Sequence, residues 1–212
     1  MVRRATKKDR KKYTRKRKEI ILIATEGKNK TERNYFREFN KSIKDCSIIF
    51  SEGNNTDPVN IVHDALNSAD KKGLESQNGD SIFAVFDTDF KKESQILEAR
   101  KLAERNGVEI ILSNPCFEVW LLLHFRYSTH GYQSNNAVIK ELNYVWPEYR
   151  KNIGSFQQLR NRCEDAIENA GRLKRFHNET KGTKLVERCN PSTDVDKLVT
   201  RIIKDQRKLN SL

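Results

Sequence analysis

The sequence predicts an α/β fold: a parallel sheet of about four strands flanked by helices, with a C-terminal helical extension. Three features point to it. Two apolar runs, residues 20–24 and 81–86, are short and nearly uninterrupted, as strands buried on both faces are. Between and after them, apolar residues recur at helical spacing. The resulting order through residue 112 is βαβαβαβ, which right-handed crossovers fold into an open parallel sheet.

Each element has its own signal. Residues 20–24 form the first strand. Thr31 is placed to cap a helix running through Tyr35, Phe36, Phe39 and Ile43. Residues 47–50 form a second strand. After a polar loop, Asp57 caps a helix with Pro58 in its first turn and Ile61, Val62, Ala65 and Leu66 as its buried stripe. A polar connector over 71–80 leads to the third strand at 81–86. The helix predicted over 94–106 carries Ile96, Ala99, Leu102 and Ala103, and Gly107 ends it. Residues 108–112 form the fourth strand.

Beyond Pro115, residues 116–125 are apolar nearly all round, which predicts a buried helix. A loop over 126–134, a short helix over 137–144 and Trp146-Pro147 follow. The pattern then predicts a long helix over 156–176, a polar loop over 177–193 and a last helix over 195–209. The organisation expected is a basic flexible tail (1–18), an α/β core (19–126) and a helical extension packing on it (127–212).

Composition narrows the function classes. A chain of 212 residues suits one domain, and 36% hydrophobic residues suffice for a core if helices cover a small sheet. No apolar run approaches the roughly 20 residues of a membrane helix. The basic N-terminus does not resemble a secretory signal. Cys46, Cys116, Cys163 and Cys189 are scattered without a C-x-x-C pair, which argues against a zinc ribbon and for a reduced, cytoplasmic setting. The net charge is +12, of which residues 1–19 contribute +9 through eleven Lys or Arg and two acids. The tail is therefore a candidate arm for phosphates, salt-sensitive by nature, with a solubilising role as the alternative.

Glu26 closes the first strand, and Asp87 and Asp89 close the third. In a parallel sheet the carboxyl ends share one side, where ligands bind. Asp87 and Asp89 lie at i and i+2 and so point the same way in extended chain. Three converging carboxylates repel one another, and a divalent metal, Mg²⁺ or Mn²⁺, is the simplest compensation. One or two such ions would suit phosphodiester cleavage. A lone Asp-x-Asp is often only a polar loop; its pairing with Glu26 across a βαβαβαβ order is more specific.

Other residues near that edge are candidates with competing structural roles. Asn114 and Glu118 follow the fourth strand; Glu118 suits either a helix first turn or a metal. Lys28 and Lys30 precede a helix start and suit phosphate, or merely a solvated loop. Glu32 either caps that helix or adds a ligand. His124 has a core histidine as its default and a general acid or phosphate contact as the alternative. It stands roughly 240° around a helix from Glu118. Tyr127, Tyr132, Trp146 and Tyr149 suit packing more readily than base stacking.

The spacing of Glu26 and Asp87-x-Asp89 resembles the Toprim domain of topoisomerases, bacterial primases and several nucleases. The wider pattern resembles the RloB family of prokaryotic defence-associated proteins. Its marks are Thr25-Glu26-Gly27, Thr31-Glu32, Tyr35-Phe36, Thr56-Asp57-Pro58, Phe86-Asp87-Thr88-Asp89, Ser113-Asn114-Pro115-Cys116-Phe117-Glu118, the Trp120–Phe125 run, and Asn190-Pro191-Ser192-Thr193. The resemblance covers about residues 19–205. It implies a Toprim-like sheet, with Glu26 in an acid/base or metal role and Asp87 and Asp89 as metal ligands. It further implies a Mg²⁺-dependent nuclease of RNA (tRNA included) or DNA in anti-phage defence, with an RloA-like ATPase as a partner. The alternative is a non-catalytic nucleic-acid-binding effector or regulator. The cysteines do not suit a primase zinc module, the chain lacks room for topoisomerase gates, and no P-loop supports ATPase activity.

Overall fold

Strand side chains alternate between two helical layers, and this alternation decides the architecture. The computed structural model describes residues 17–27, 30–44, 46–88, 93–151 and 156–210, with backbone alone at Lys30 and over 205–210. Five strands form one sheet in the order β2-β1-β3-β4-β5. They are β1 (Glu19–Thr25), β2 (Cys46–Phe50), β3 (Ser81–Asp87), β4 (Val108–Asn114) and β5 (Ser192–Thr193). The first four are parallel. The fifth is antiparallel to β4, through Ser113–Thr193 and Asn114–Ser192.

The helices are α1 (Lys30–Asn40), α2 (Pro58–Lys71), α3 (Glu93–Arg105), α4 (Glu118–Leu123), α5 (Asn135–Val145), α6 (Cys163–Lys181) and α7 (Val195–Asn210). On one face Ile21, Ile23, Phe83, Val85 and Ile111 pack with the aromatic side of α1, with α4, and with residues of α5, α6 and α7. On the other face Ala24, Ala84, Phe86, Ile110 and Leu112 meet Ile61, Val62 and Ala65 of α2 and Ile96, Ala99 and Ala103 of α3. Strands buried on both sides explain why the sequence runs are continuous rather than alternating.

Several boundaries differ from the sequence pattern. Helix α1 begins at Lys30, so Thr31 lies inside its first turn rather than capping it, and Ile43 lies beyond its end. Asp57 does cap α2, accepting from the amides of Val59 and Asn60, with Pro58 in the first turn. The single helix expected over 156–176 is a 3₁₀ turn, Gln157–Arg162, followed by α6. α6 runs on to Lys181, where Gly182 at φ 65° ends it in the left-handed conformation. The loop expected to run to residue 193 therefore begins later, and it contains a 3₁₀ turn and β5. Among the described residues, no helix is long and apolar enough to cross a membrane.

The start of β1 is fixed by a buried carboxylate. Asp80 accepts both terminal nitrogens of Arg17, at 3.0 and 2.9 Å, and the amides of Ile20 and Glu75. These donors hold the Asp80 carboxyl below the usual carboxylate range although burial opposes them. The basic tail thus joins the fold at the amino edge of the sheet. Residues 1–16 lie outside the described residues.

Candidate active site

The chain leaves β1 through α1 to β2 on one side, then crosses back through α2 to β3 on the other side of β1. The strand order therefore reverses between β1 and β3, where open α/β sheets form a ligand crevice beyond their carboxyl ends. Glu26 and Asp87 stand at that crevice. Thr25 pairs with Val85, the Glu26 amide donates to the Val85 carbonyl at 3.3 Å, and Asp87 pairs with Ser113 on β4. Neighbouring strands are about 4.8 Å apart, so the two acids leave adjacent strand ends one residue out of step.

The chain turns sharply after Glu26. Gly27 has φ 52°, a left-handed value that favours glycine, and its amide donates to the Asn55 carbonyl at 2.7 Å. Arg33 braces the same corner. Its Nε donates to Thr25 Oγ1 and its Nη2 to the Ser51 carbonyl, each at 2.9 Å. Arg33 and Arg37 both lie over the Phe50 ring, at 5.8 and 5.4 Å from its centroid. Burial and the nearby Arg37 lower the Arg33 guanidinium from its usual pKa. This cationic shelf lies on the β2 side of the crevice, and the sequence pattern did not single it out.

Two helix starts bring further carboxyls. Glu32 shares the inner face of α1 with Tyr35, Phe36 and Phe39 and is only 2% exposed. Its carboxyl is pushed up to about 8, chiefly by burial, with the acids Glu118 and Glu26 adding to the rise and Lys151 opposing it. At neutral pH Glu32 therefore keeps a proton. Glu118, in the first turn of α4, is 4% exposed and accepts from the Tyr149 hydroxyl at 2.8 Å. Burial, and then Glu118 and Asp87, push the Cys116 thiol well above its usual value, so this cysteine senses both acids and stays protonated.

Glu26, Glu32, Asp87 and Glu118 thus bring carboxyl groups to one edge of the sheet, with Glu32 the protonated one. Among the described residues, no three His, Cys, Asp or Glu side chains form a group that could hold a metal ion. Asp89 and Lys28 lie outside the described residues, and of Lys30 only the backbone is described. The donors that meet here are oxygen atoms, the set that hard divalent cations take. Glu32 is kept protonated chiefly by burial, and its acidic neighbours add a repulsion that such a cation would relieve. On chemistry the residues fit Mg²⁺ or Mn²⁺.

The remaining candidates are placed differently. Asn114 ends β4, but its Nδ2 donates to the Val186 carbonyl at 2.9 Å and so braces the C-terminal segment. His124 is not at the crevice. It is 1% exposed, its Nδ1 donates to the Trp120 carbonyl at 3.0 Å, and its Nε2 lies 3.3 Å from the Tyr35 hydroxyl. Burial lowers its pKa to about 4. It serves the core, and the phosphate contact weighed for it has no geometric basis. Tyr149 packs in the core, as expected, and its hydroxyl also reaches Glu118. A loop tyrosine gives no periodic signal, so only the fold could place it.

The sequence model of the RloB-like protein family matches residues 21–202. No curated protein and no solved structure matches the chain.

Proposed function

Because the chain belongs to the RloB-like protein family, we propose that it is a metal-dependent nuclease. It hydrolyses phosphodiester bonds of RNA, such as tRNA, or of DNA, in prokaryotic anti-phage defence. The observation that supports this reading best is that acids from β1, β3, α1 and α4 lie at one edge of the sheet, where the strand order reverses. Glu26, Asp87 and Asp89 would hold Mg²⁺ or Mn²⁺, with Glu118 beside them. The cation would polarise the scissile phosphate and neutralise charge that develops in the transition state.

The chain's own groups have separate tasks. Glu26 orients the attacking water and accepts its proton as the new O–P bond forms and the ester O–P bond breaks. Lys28 and Lys30, just past Glu26, contact phosphate. Tyr149 fixes the rotamer of Glu118 through their hydrogen bond. The tail, anchored by Arg17 at the opposite edge, adds phosphate contacts along the strand. A cytoplasmic setting and an RloA-like ATPase partner complete the proposal.

The test is incubation with total tRNA, single-stranded RNA and plasmid DNA, in Mg²⁺ or Mn²⁺ and in EDTA. Wild type should cut at least one substrate with metal, and Asp87→Ala should cut none. Equal cutting by Asp87→Ala or in EDTA would reject the scheme. The charge of the tail favours a second reading, a non-catalytic effector that binds nucleic acid and regulates a partner. Binding with no metal-dependent degradation, even on co-expression with the partner, would select it.

A further inference from the structure

On its β2 side the crevice gives onto an arginine pair. Arg33 and Arg37 stand at i and i+4 of α1, on one row of the helix, with Lys30 one turn before them. Their guanidinium carbons lie 5.8 and 5.4 Å from the centroid of the Phe50 ring. Arg33 is fixed there by Thr25 Oγ1 and by the carbonyls of Ser51 and Gly53, at 2.9, 2.9 and 3.4 Å. Arg37 is exposed, and among the described residues it has neither a hydrogen-bond acceptor nor a carboxylate partner.

Two like charges are thus held close together, and the nearby acids do not cancel them. Glu32 is the acid that acts on Arg33, and it keeps its proton at neutral pH. Glu38 is committed to Lys41 at 2.8 Å. Glu52 is exposed and forms no ion pair among the described residues. Of the neighbours outside the described residues, Lys28 adds positive charge, and Asp45 precedes β2 whereas Phe50 ends it. An anion is what offsets such a pair, and the planar guanidinium fork matches phosphate oxygens. Phe50 holds Arg37 against its ring, so less side-chain freedom is lost on binding. Arg37 lies four residues, about 6 Å, further along α1 than Arg33. The row therefore leads from the acidic crevice outward beside β2, the edge strand.

We propose that Arg37, held on Phe50 beside Arg33, is a phosphate-binding subsite that grips a nucleic-acid strand at a phosphate flanking the scissile bond. Its place beside the cut rests on the nuclease reading; its capacity to bind a strand does not. Arg33 supplies charge from a fixed position, and Arg37 makes the direct contact. The strand then leaves the crevice along α1 toward the β2 edge.

Fluorescence anisotropy of the full chain in EDTA, with a short single-stranded RNA and its DNA counterpart as probes, reads binding without cleavage. Arg37→Gln should weaken the tighter-binding probe about fivefold. It should also make the slope of log affinity against log salt shallower by about 0.7, one phosphate's worth. Arg37→Lys should keep the slope. Lys101→Gln, at an exposed cation of α3 in the other helical layer, should change neither quantity. Circular dichroism should show all three variants folded. Wild type that binds neither probe, an unchanged slope in Arg37→Gln, or an equal change in Lys101→Gln overturns the subsite. With Mn²⁺, Arg37→Gln should raise KM for cleavage and spare kcat; a fall in kcat at unchanged KM overturns its place beside the cut. The two readings fail separately. A chain that binds through Arg37 in EDTA but never cuts loses the nuclease reading and keeps the phosphate subsite. Metal-dependent cutting with an unchanged Arg37→Gln slope loses the subsite alone.

Discussion

The Tyr149 hydroxyl donates to Glu118 Oε1 at 2.8 Å, tying the loop after α5 to the first turn of α4 at the edge of the sheet. Both residues are buried, and the Tyr149 ring lies tilted against Trp146 at 5.4 Å, which in turn meets Phe156 at 5.9 Å. The C-terminal extension thereby contributes directly to the acidic site. Burial and Glu118 together raise the Tyr149 phenol far above its usual pKa, so it remains a donor at any physiological pH.

Removing that donor should be felt in the fold. Tyr149→Phe keeps the ring contacts but leaves the buried Glu118 oxygen without its phenol, a cost of about 1–3 kcal/mol. The expected outcome is a lower urea midpoint with an unchanged slope. An unchanged midpoint would show that the bond contributes nothing net.

Glu32 predicts an unusual pH dependence. Its folded carboxyl titrates at about 8 against an ordinary 4.5, so the folded state holds a proton that the unfolded chain releases. Stability from this group is present below pH 4.5 and is lost as pH rises to 8. Glu32→Gln should flatten that decline and raise stability at pH 8 by at least about 1 kcal/mol. Added Mg²⁺ should raise the melting temperature of wild type more at pH 8 than at pH 6. Equal shifts at both would contradict a cation acting on this carboxyl.

His124 has the opposite sign. Its folded pKa is lowered to about 4 from 6.5, so on acidification the unfolded chain takes up the proton first. Its contribution is full above pH 6.5 and falls away toward pH 4, by up to about 3 kcal/mol. Glu32 opposes this slope over pH 4.5–6.5, so the comparison belongs in a Glu32→Gln background. There, His124→Gln should remove most of the acid sensitivity in chemical unfolding, while the proposed nuclease activity at pH 8 should survive in part.

The tail should matter through salt. Residues 2–16 hold nine Lys or Arg and one acid, and deletion should remove several of the cations that neutralise phosphates. The slope of log affinity against log salt should then become shallower by about 0.7–0.9 for each phosphate no longer neutralised. Filter binding to single-stranded RNA across a salt series measures this, and an unchanged slope would assign the tail another role.

The parts of the fold that read clearly in the sequence are those set by local pattern. Residues 21–24 and 83–86 are buried on both faces, so the continuity of the runs that hold them marks strands. Asp57-Pro58 and Gly107 punctuate the helices around them. β5 left no such mark, because two residues have no period. Its place is set from outside, by the Asp194 amide on the Leu112 carbonyl at 2.7 Å and the contact between the Ser113 and Thr193 hydroxyls at 2.9 Å. In the site, Glu26 and Asp87 were legible because strand ends in a parallel sheet share one edge. Glu32 reads in the sequence as a cap or a ligand, but its burial and raised carboxyl, like the reach of Tyr149 to Glu118, depend on the packing of α1 and on where a loop lands. Arg33 is missed because an arginine in a helix's first turn looks like a solvated face until Thr25 and Ser51 are seen to hold it.

Isothermal titration of Mn²⁺ into wild type, Glu26→Gln and Asp87→Asn tests most directly whether the acids closing β1 and β3 hold a divalent cation. Wild type should bind at least one ion, and each variant should bind at least about tenfold more weakly, a loss of about 1.4 kcal/mol. Undiminished Mn²⁺ binding by both variants, each shown to be folded, would contradict the account.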